Sequence, residues 1–215
     1  MSRPLPQPAL LVITDRHQLA GGAAAIGEVA GAAFAAGCRW ISLREKDLPV
    51  DEQVTLARDL VRRAAAFGAT VTVHGAADIA LMAGAHGVHL PETGDSAAAR
   101  QLLGPDALIG QSVHAPAQAA LIDPADVDYI IAGPVFPTAS KPGYGPALGA
   151  AGLAAIVGVS QVPVLPIGGV EEESVAACLA AGASGVAVMG AVMRSPAPET
   201  VIAPLLARMQ VARGL

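Results

Sequence analysis

The stretch Pro163-Val164-Leu165-Pro166-Ile167-Gly168-Gly169-Val170 decides how the rest of the chain is read. An apolar run of strand length meets two consecutive glycines, and Glu171 then opens an Ala-rich run of helical length. Glycine lets backbone N–H groups approach an anion closely, and a helix N-terminus adds partial positive charge. The position of this turn in the chain carries the argument. An open doubly wound sheet places its glycine-rich phosphate turn after the first strand. Here the first apolar run ends in Thr14-Asp15-Arg16-His17, without glycine. A closed (β/α)8 barrel binds phosphate after its seventh and eighth strands. The double glycine closes the seventh run, and Met189-Gly190 closes the eighth. The pattern therefore predicts an α/β chain folded as a single (β/α)8 TIM barrel.

Outward from that turn, strands are expected at residues 10–14, 40–44, 70–74, 87–90, 108–114, 129–133, 162–167 and 185–189. Helices are expected at 23–36, 51–67, 96–103, 149–158 and 171–181. Asp51 and Ser96 read as N-caps, and Gly37, Gly68, Gly104 and Gly182 as helix stops. No linker, repeat or low-complexity tract interrupts the alternation, so residues 1–215 are expected to form one domain.

Composition narrows the function classes. Hydrophobic residues make up 53% but aromatics only 3%, which suits small-residue parallel strands covered by helices. A net charge of -5 with no dense basic patch argues against nucleic acid and against an anionic membrane as partners. Cys38 and Cys178 have no matching ligands nearby in sequence, and they read as buried reduced thiols of a cytoplasmic protein. The apolar run at 9–13 stops at Asp15 and Arg16, too short for a signal peptide, and no charge-free run reaches transmembrane length.

In such a barrel the loops after the strands make the active site. The longest, after strand six, carries Thr138, Ser140 and Lys141 among glycines and prolines, the make-up of a lid able to clamp an anion. Strand two ends in Ser42-Leu43-Arg44-Glu45-Lys46; Arg44 and Lys46 share a face if the strand continues. Arg44 has two open readings, a bidentate anion ligand or a rim ion pair with Glu45 or Asp15. Among the five histidines, His86 belongs to the bottom face, His17 is not singled out, and His89 reads as a hydrogen-bonded core residue. His74 and His114 end strands three and five, where a histidine serves as acid or base near neutral pH. His114 is the stronger candidate, and Ser112 shares its face of the strand; no spacing marks a metal site.

Four blocks, Ser42-Leu43-Arg44-Glu45-Lys46, the Asp78–Leu90 stretch ending Gly87-Val88-His89-Leu90, Asp128-Tyr129 through Gly133-Pro134-Val135-Phe136-Pro137-Thr138, and Pro163-Val164 through Ile167-Gly168-Gly169, resemble the thiamine phosphate synthase / thiazole tautomerase superfamily. Gly185-Val186-Ala187-Val188-Met189-Gly190 adds a fifth, and the match runs in order from the first strand to the last helix. The resemblance implies the same barrel and offers two activities. The synthase joins a pyrimidine diphosphate to thiazole phosphate with Mg2+. It typically carries an Asp after strand three and another five residues after the strand-four histidine; these positions are Gly75 and Gly94 here. The tautomerase branch has a Leu-Pro ending strand four and a Ser-Val-His ending strand five, here Leu90-Pro91 and Ser112-Val113-His114.

What the resemblance implies first is therefore a thiazole tautomerase: a proton shift that aromatises a carboxylated thiazole phosphate, with His114 as the acid/base and no metal or other cofactor. Gly168, Gly169, Met189 and Gly190 would anchor the phosphate, with Arg44, Lys46, His74, Ser112, Thr138 and Lys141 completing substrate binding. The alternatives are a synthase with a Mg2+ site rebuilt on Asp95 or Glu92, and a non-catalytic thiazole-phosphate binder. The expected partner is a small phosphorylated thiazole, with homo-oligomerisation left open.

Overall fold

The computed structural model describes residues 3–138, 147–212 and 214. Eight parallel strands form the wall: β1 (Leu10–Ile13), β2 (Trp40–Leu43), β3 (Thr70–His74), β4 (Gly87–Leu90), β5 (Leu108–Val113), β6 (Tyr129–Ala132), β7 (Val164–Pro166) and β8 (Val186–Val188). Their hydrogen-bonded order is β7-β6-β5-β4-β3-β2-β1-β8. The remaining seam, between β7 and β8, carries no ladder. The amide of Ser184 bridges it by donating to the carbonyl of Val164 at 3.0 Å. Eight strands with helices between them make a nearly closed (β/α)8 barrel, and its loosest seam lies between the two strands that end in the glycine turns.

Alternation along each strand sorts the side chains. Leu10, Val12, Ile41, Leu43, Val71, Val73, Val88 and Ile109 face outward into the main core. There they meet the apolar faces of α1 (Ile26–Ala35), α2 (Val50–Ala65), α3 (Ala77–Ala83), α4 (Ser96–Leu103) and the helices that follow. Leu11, Ile13, Trp40, Leu108, Tyr129, Ile131, Leu165 and Ala187 fill the barrel interior as a second, smaller core. The scarcity of aromatics makes their placement informative. Trp40 and Tyr129 meet edge-to-face at 4.7 Å across the interior. The Tyr129 ring occupies the space above Gly110 on the neighbouring strand, where a Cβ would lie 2.1 Å from its Cζ.

β3, β4 and α4 span the expected residues, and the ends of the other expected elements move by at most three. β2 stops at Leu43, so Arg44 and Lys46 lie in the following loop and do not share a strand face. Asp95, not Ser96, caps α4, accepting from the amide of Ala98 at 2.9 Å. Pro49, not Asp51, precedes α2. The expected helix from residue 23 begins as a 3-10 turn, Gly22–Ala25, before α1. The short helices α5 (Pro116–Ala119) and α8 (Gly190–Met193), too brief for a periodic signal, flank the mouth. α6 (Gly149–Val159), α7 (Glu172–Ala180) and α9 (Glu199–Ala212) complete the outer layer.

Candidate active site

A cavity of about 230 Å³ opens at the C-terminal ends of the strands. Its wall begins at the loop after β2. Glu45 is buried, with its carboxylate turned toward the neighbouring β1 loop. There it accepts from the Thr14 hydroxyl at 2.7 Å, from the Arg16 amide and from the Arg16 guanidinium. The amide of Arg44 donates to the Thr14 hydroxyl at 2.9 Å, which locks the backbone beside Glu45. The Arg44 side chain is thereby sent the other way and lines the cavity, half-buried. Arg16, not Arg44, makes the rim ion pair, with Glu45 and Asp47. Its hydrogen bonds, with that of His17 second, hold the Asp47 carboxyl below the usual carboxylate range.

The inward positions at the top of β2, β3, β4 and β5 are polar. Ser42 Oγ lies 3.3 Å from His74 Nδ1, the His74 and His89 rings meet at a tilt with centroids 4.4 Å apart, and His89 Nε2 meets Ser112 Oγ at 2.9 Å. His89 is fully buried, as a core histidine should be, yet it also forms part of the cavity floor. Burial, with the Lys46 charge adding to it, pulls its pKa down to about 3, so this ring is neutral at physiological pH. Among the described residues its Nδ1 has no hydrogen-bond partner.

His114 stands one step past β5, on the inward side with Ser112. Its Nδ1 lies 2.6 Å from the carbonyl of Gly133. A carbonyl only accepts, so Nδ1 carries the proton and Nε2 is the nitrogen left to give or take one. Nε2 lies 3.8 Å from Glu92 Oε2, too far for a hydrogen bond.

The opposite wall is main chain. Gly168 and Gly169 have φ of +92° and +62°, the left-handed region that favours glycine. They also lie against the loop after β6: a Cβ on Gly168 would be 2.8 Å from Pro134, and one on Gly169 2.5 Å from the Pro137 carbonyl. The two loops are joined where Val135 and Phe136 donate to the carbonyls of Ile167 and Gly168. The amides of Gly168, Gly169 and Val170 donate to no protein acceptor among the described residues. Gly190 and Ala191 open α8 beside them, where first-turn amides have no intrahelical acceptor. Together these amides form a concave backbone surface suited to an anion. Arg194, which the sequence reading passed over, also lines the cavity from the end of α8, and it donates to Gln18 Oε1 at 2.5 Å.

Of the expected site residues, Arg44, His74, Ser112, His114, Thr138, Gly168, Gly169, Met189 and Gly190 line this one cavity. Lys46 does not; it is exposed, with its aliphatic stem against Gly75. Ser140 and Lys141 lie outside the described residues.

A Mg2+ site of the kind the synthase uses would need carboxylates at positions 75 and 94. Gly75 has φ of +123°, a conformation that side chains rarely adopt. A Cβ on Gly94 would lie 2.7 Å from that of Leu90. Asp95 is engaged as the cap of α4, and Glu92 accepts at 2.5 Å from Gln118 Nε2. Among the described residues no three His, Cys, Asp or Glu side chains converge as a metal-binding group. The residues present do not fit that ion at those positions.

Fold and site together define a (β/α)8 barrel with an anion cradle on one side of its mouth and titratable side chains on the other. Comparison with known proteins makes the class specific. Residues 10–192 match the family model described as thiamine monophosphate synthase, and the chain belongs to that family. A relative from Geobacter sulfurreducens named "Putative thiamine-phosphate synthase" is 46% identical over 200 residues, covering 93% of each chain. A thiamine-phosphate synthase from a Roseiflexus species is 37% identical over 203 residues, 92% of this chain and 85% of its own. The solved structure of thiamine phosphate pyrophosphorylase from Pyrococcus furiosus superposes with a TM-score of 0.83 at 28% identity, covering 94% of this chain and 96% of that one. These names favour the condensation over the proton shift. No helix among the described residues is long and apolar enough to cross a membrane.

Proposed function

We propose that this chain is a thiazole tautomerase of thiamine biosynthesis, moving a proton on a carboxylated thiazole phosphate without a metal ion. The observation that carries the reading is the backbone at Gly75 and Gly94. One has a left-handed φ and the other has no room for a Cβ, so neither position takes the carboxylate that a diphosphate-leaving reaction needs for its cation. The chemistry then falls to side chains already in the mouth. Neutral His114 Nε2 removes the proton from ring C2, and the imidazolium so formed delivers a proton to the exocyclic carbon, which aromatises the ring. The hydrogen bond from Nδ1 to Gly133 keeps the ring in one tautomer through both transfers. The substrate phosphate lies on the amides after β7 and β8, and Arg44 pairs with the carboxylate.

The names of the relatives support a second reading, the condensation of a pyrimidine diphosphate with thiazole phosphate. One assay separates the two. The proposal expects deuterium exchange at the thiazole carbon and aromatisation with chelator present. The condensation expects pyrophosphate release that depends on added Mg2+.

A further inference from the structure

We propose that Glu92 is a positioning residue for His114, supplying the counter-charge to its imidazolium, and that Gln118 holds Glu92 in place. The inference rests on His114 as the acid/base. Gln118 sits in α5, four residues past His114. Its Oε1 accepts from the amides of His114, at 2.5 Å, and Ala115, at 3.0 Å, while its Nε2 donates to Glu92 Oε1 at 2.5 Å. One carboxamide thus ties the backbone of the histidine to a carboxylate on the loop after the neighbouring strand. That loop is itself fixed, because Gln111 Nε2 donates to the carbonyls of Glu92 and Gly94, both at 3.0 Å.

The second carboxylate oxygen stands 3.8 Å from His114 Nε2. At that separation it attracts a charged ring without hydrogen-bonding a neutral one. The carboxylate acts once a substrate proton has arrived on Nε2. The need is specific to this mouth. Besides His114, the charged and titratable groups lining the cavity among the described residues are Arg44 after β2, His74 on β3, His89 on β4, Glu171 after β7 and Arg194 after β8. Two of them are permanent cations, which oppose a third positive charge on His114. Glu92 forms no covalent bond and takes no proton in this role.

The test uses Glu92→Gln, Gln118→Glu and the exchanged pair carrying both. Turnover of the carboxylated thiazole phosphate is measured with kcat and KM resolved, beside thermal melting and 15N–1H spectra of the His114 ring. Glu92→Gln is expected to lower kcat about tenfold to a hundredfold, with KM within about twofold and melting near that of the parent. The exchanged pair rebuilds the 92–118 hydrogen bond but moves the charge away from Nε2. It is expected to melt like the parent and keep the lowered kcat. A parental kcat in Glu92→Gln, or its recovery in the exchanged pair, overturns the proposal. If the parent shows no tautomerase turnover, the ring spectrum decides. Glu92→Gln must shift the His114 Nε2 resonance, and an unmoved resonance refutes the contact whatever the reaction.

Discussion

From Ile167 to Val170 and from Met189 to Ala191 the mouth is walled by main chain; from Arg44 round to His114 it is walled by side chains. In the first wall the N–H groups of Gly168 and Gly169 sit on residues whose positive φ and close neighbours disfavour any side chain, so that part of the wall is set by the backbone. The second wall sits on strand ends whose ladders remain intact whatever side chains they carry. Within one barrel one half of the mouth is therefore shaped by backbone and the other by side chains; in the proposed reaction the first anchors and the second reacts.

Changing one wall at a time tests that division. His114→Asn removes the acid/base and should cost about 10²- to 10⁴-fold in kcat, with binding of the thiazole phosphate retained in calorimetry. A comparable loss of binding would mean that the walls are not separate. Gly169→Ala attacks the other side. It should destabilise the fold by about 1–3 kcal/mol in urea titration and raise KM more than it lowers kcat. Arg44→Met keeps the stem but removes the guanidinium, and KM should rise about tenfold with little change in melting. If KM is unmoved, Arg44 does not hold the substrate carboxylate.

The last effect, a pH dependence of stability, concerns His89. Its pKa lies near 3 in the folded chain and about 6.5 when unfolded. Between these values the unfolded chain binds the extra proton, so stability falls as pH drops from about 6.5 toward 3, by at most about 1.4 kcal/mol per unit. Above that window His89 contributes no pH dependence. In His89→Asn this part of the slope should vanish when denaturation midpoints are compared from pH 7 to pH 4.

The barrel was legible because apolar runs recur at crossover spacing and because the double glycine comes late, after the seventh run. The cap of α4 was assigned one residue late because Asp95 and Ser96 offer the same capping chemistry, while the helix itself begins where expected. Arg44 stayed open in the sequence because its direction depends on a latch between Thr14 and Glu45, residues 31 positions apart. Arg194 went unnoticed because a lone arginine just past a four-residue helix has no periodic signature. The Glu92–Gln118–His114 contacts depend on β4 and β5 being neighbours and on the path of one loop. The sequence showed that the carboxylates at 75 and 94 are missing; the backbone adds that these positions are poorly suited to them.

The central claim is tested most directly by incubating the purified chain with the carboxylated thiazole phosphate tautomer in D2O and excess chelator. Ring C2 exchange and aromatisation are followed by NMR. The account predicts turnover without added metal, abolished in folded His114→Asn. No turnover by folded protein, with Mg2+-dependent pyrophosphate release from the pyrimidine diphosphate instead, would contradict it.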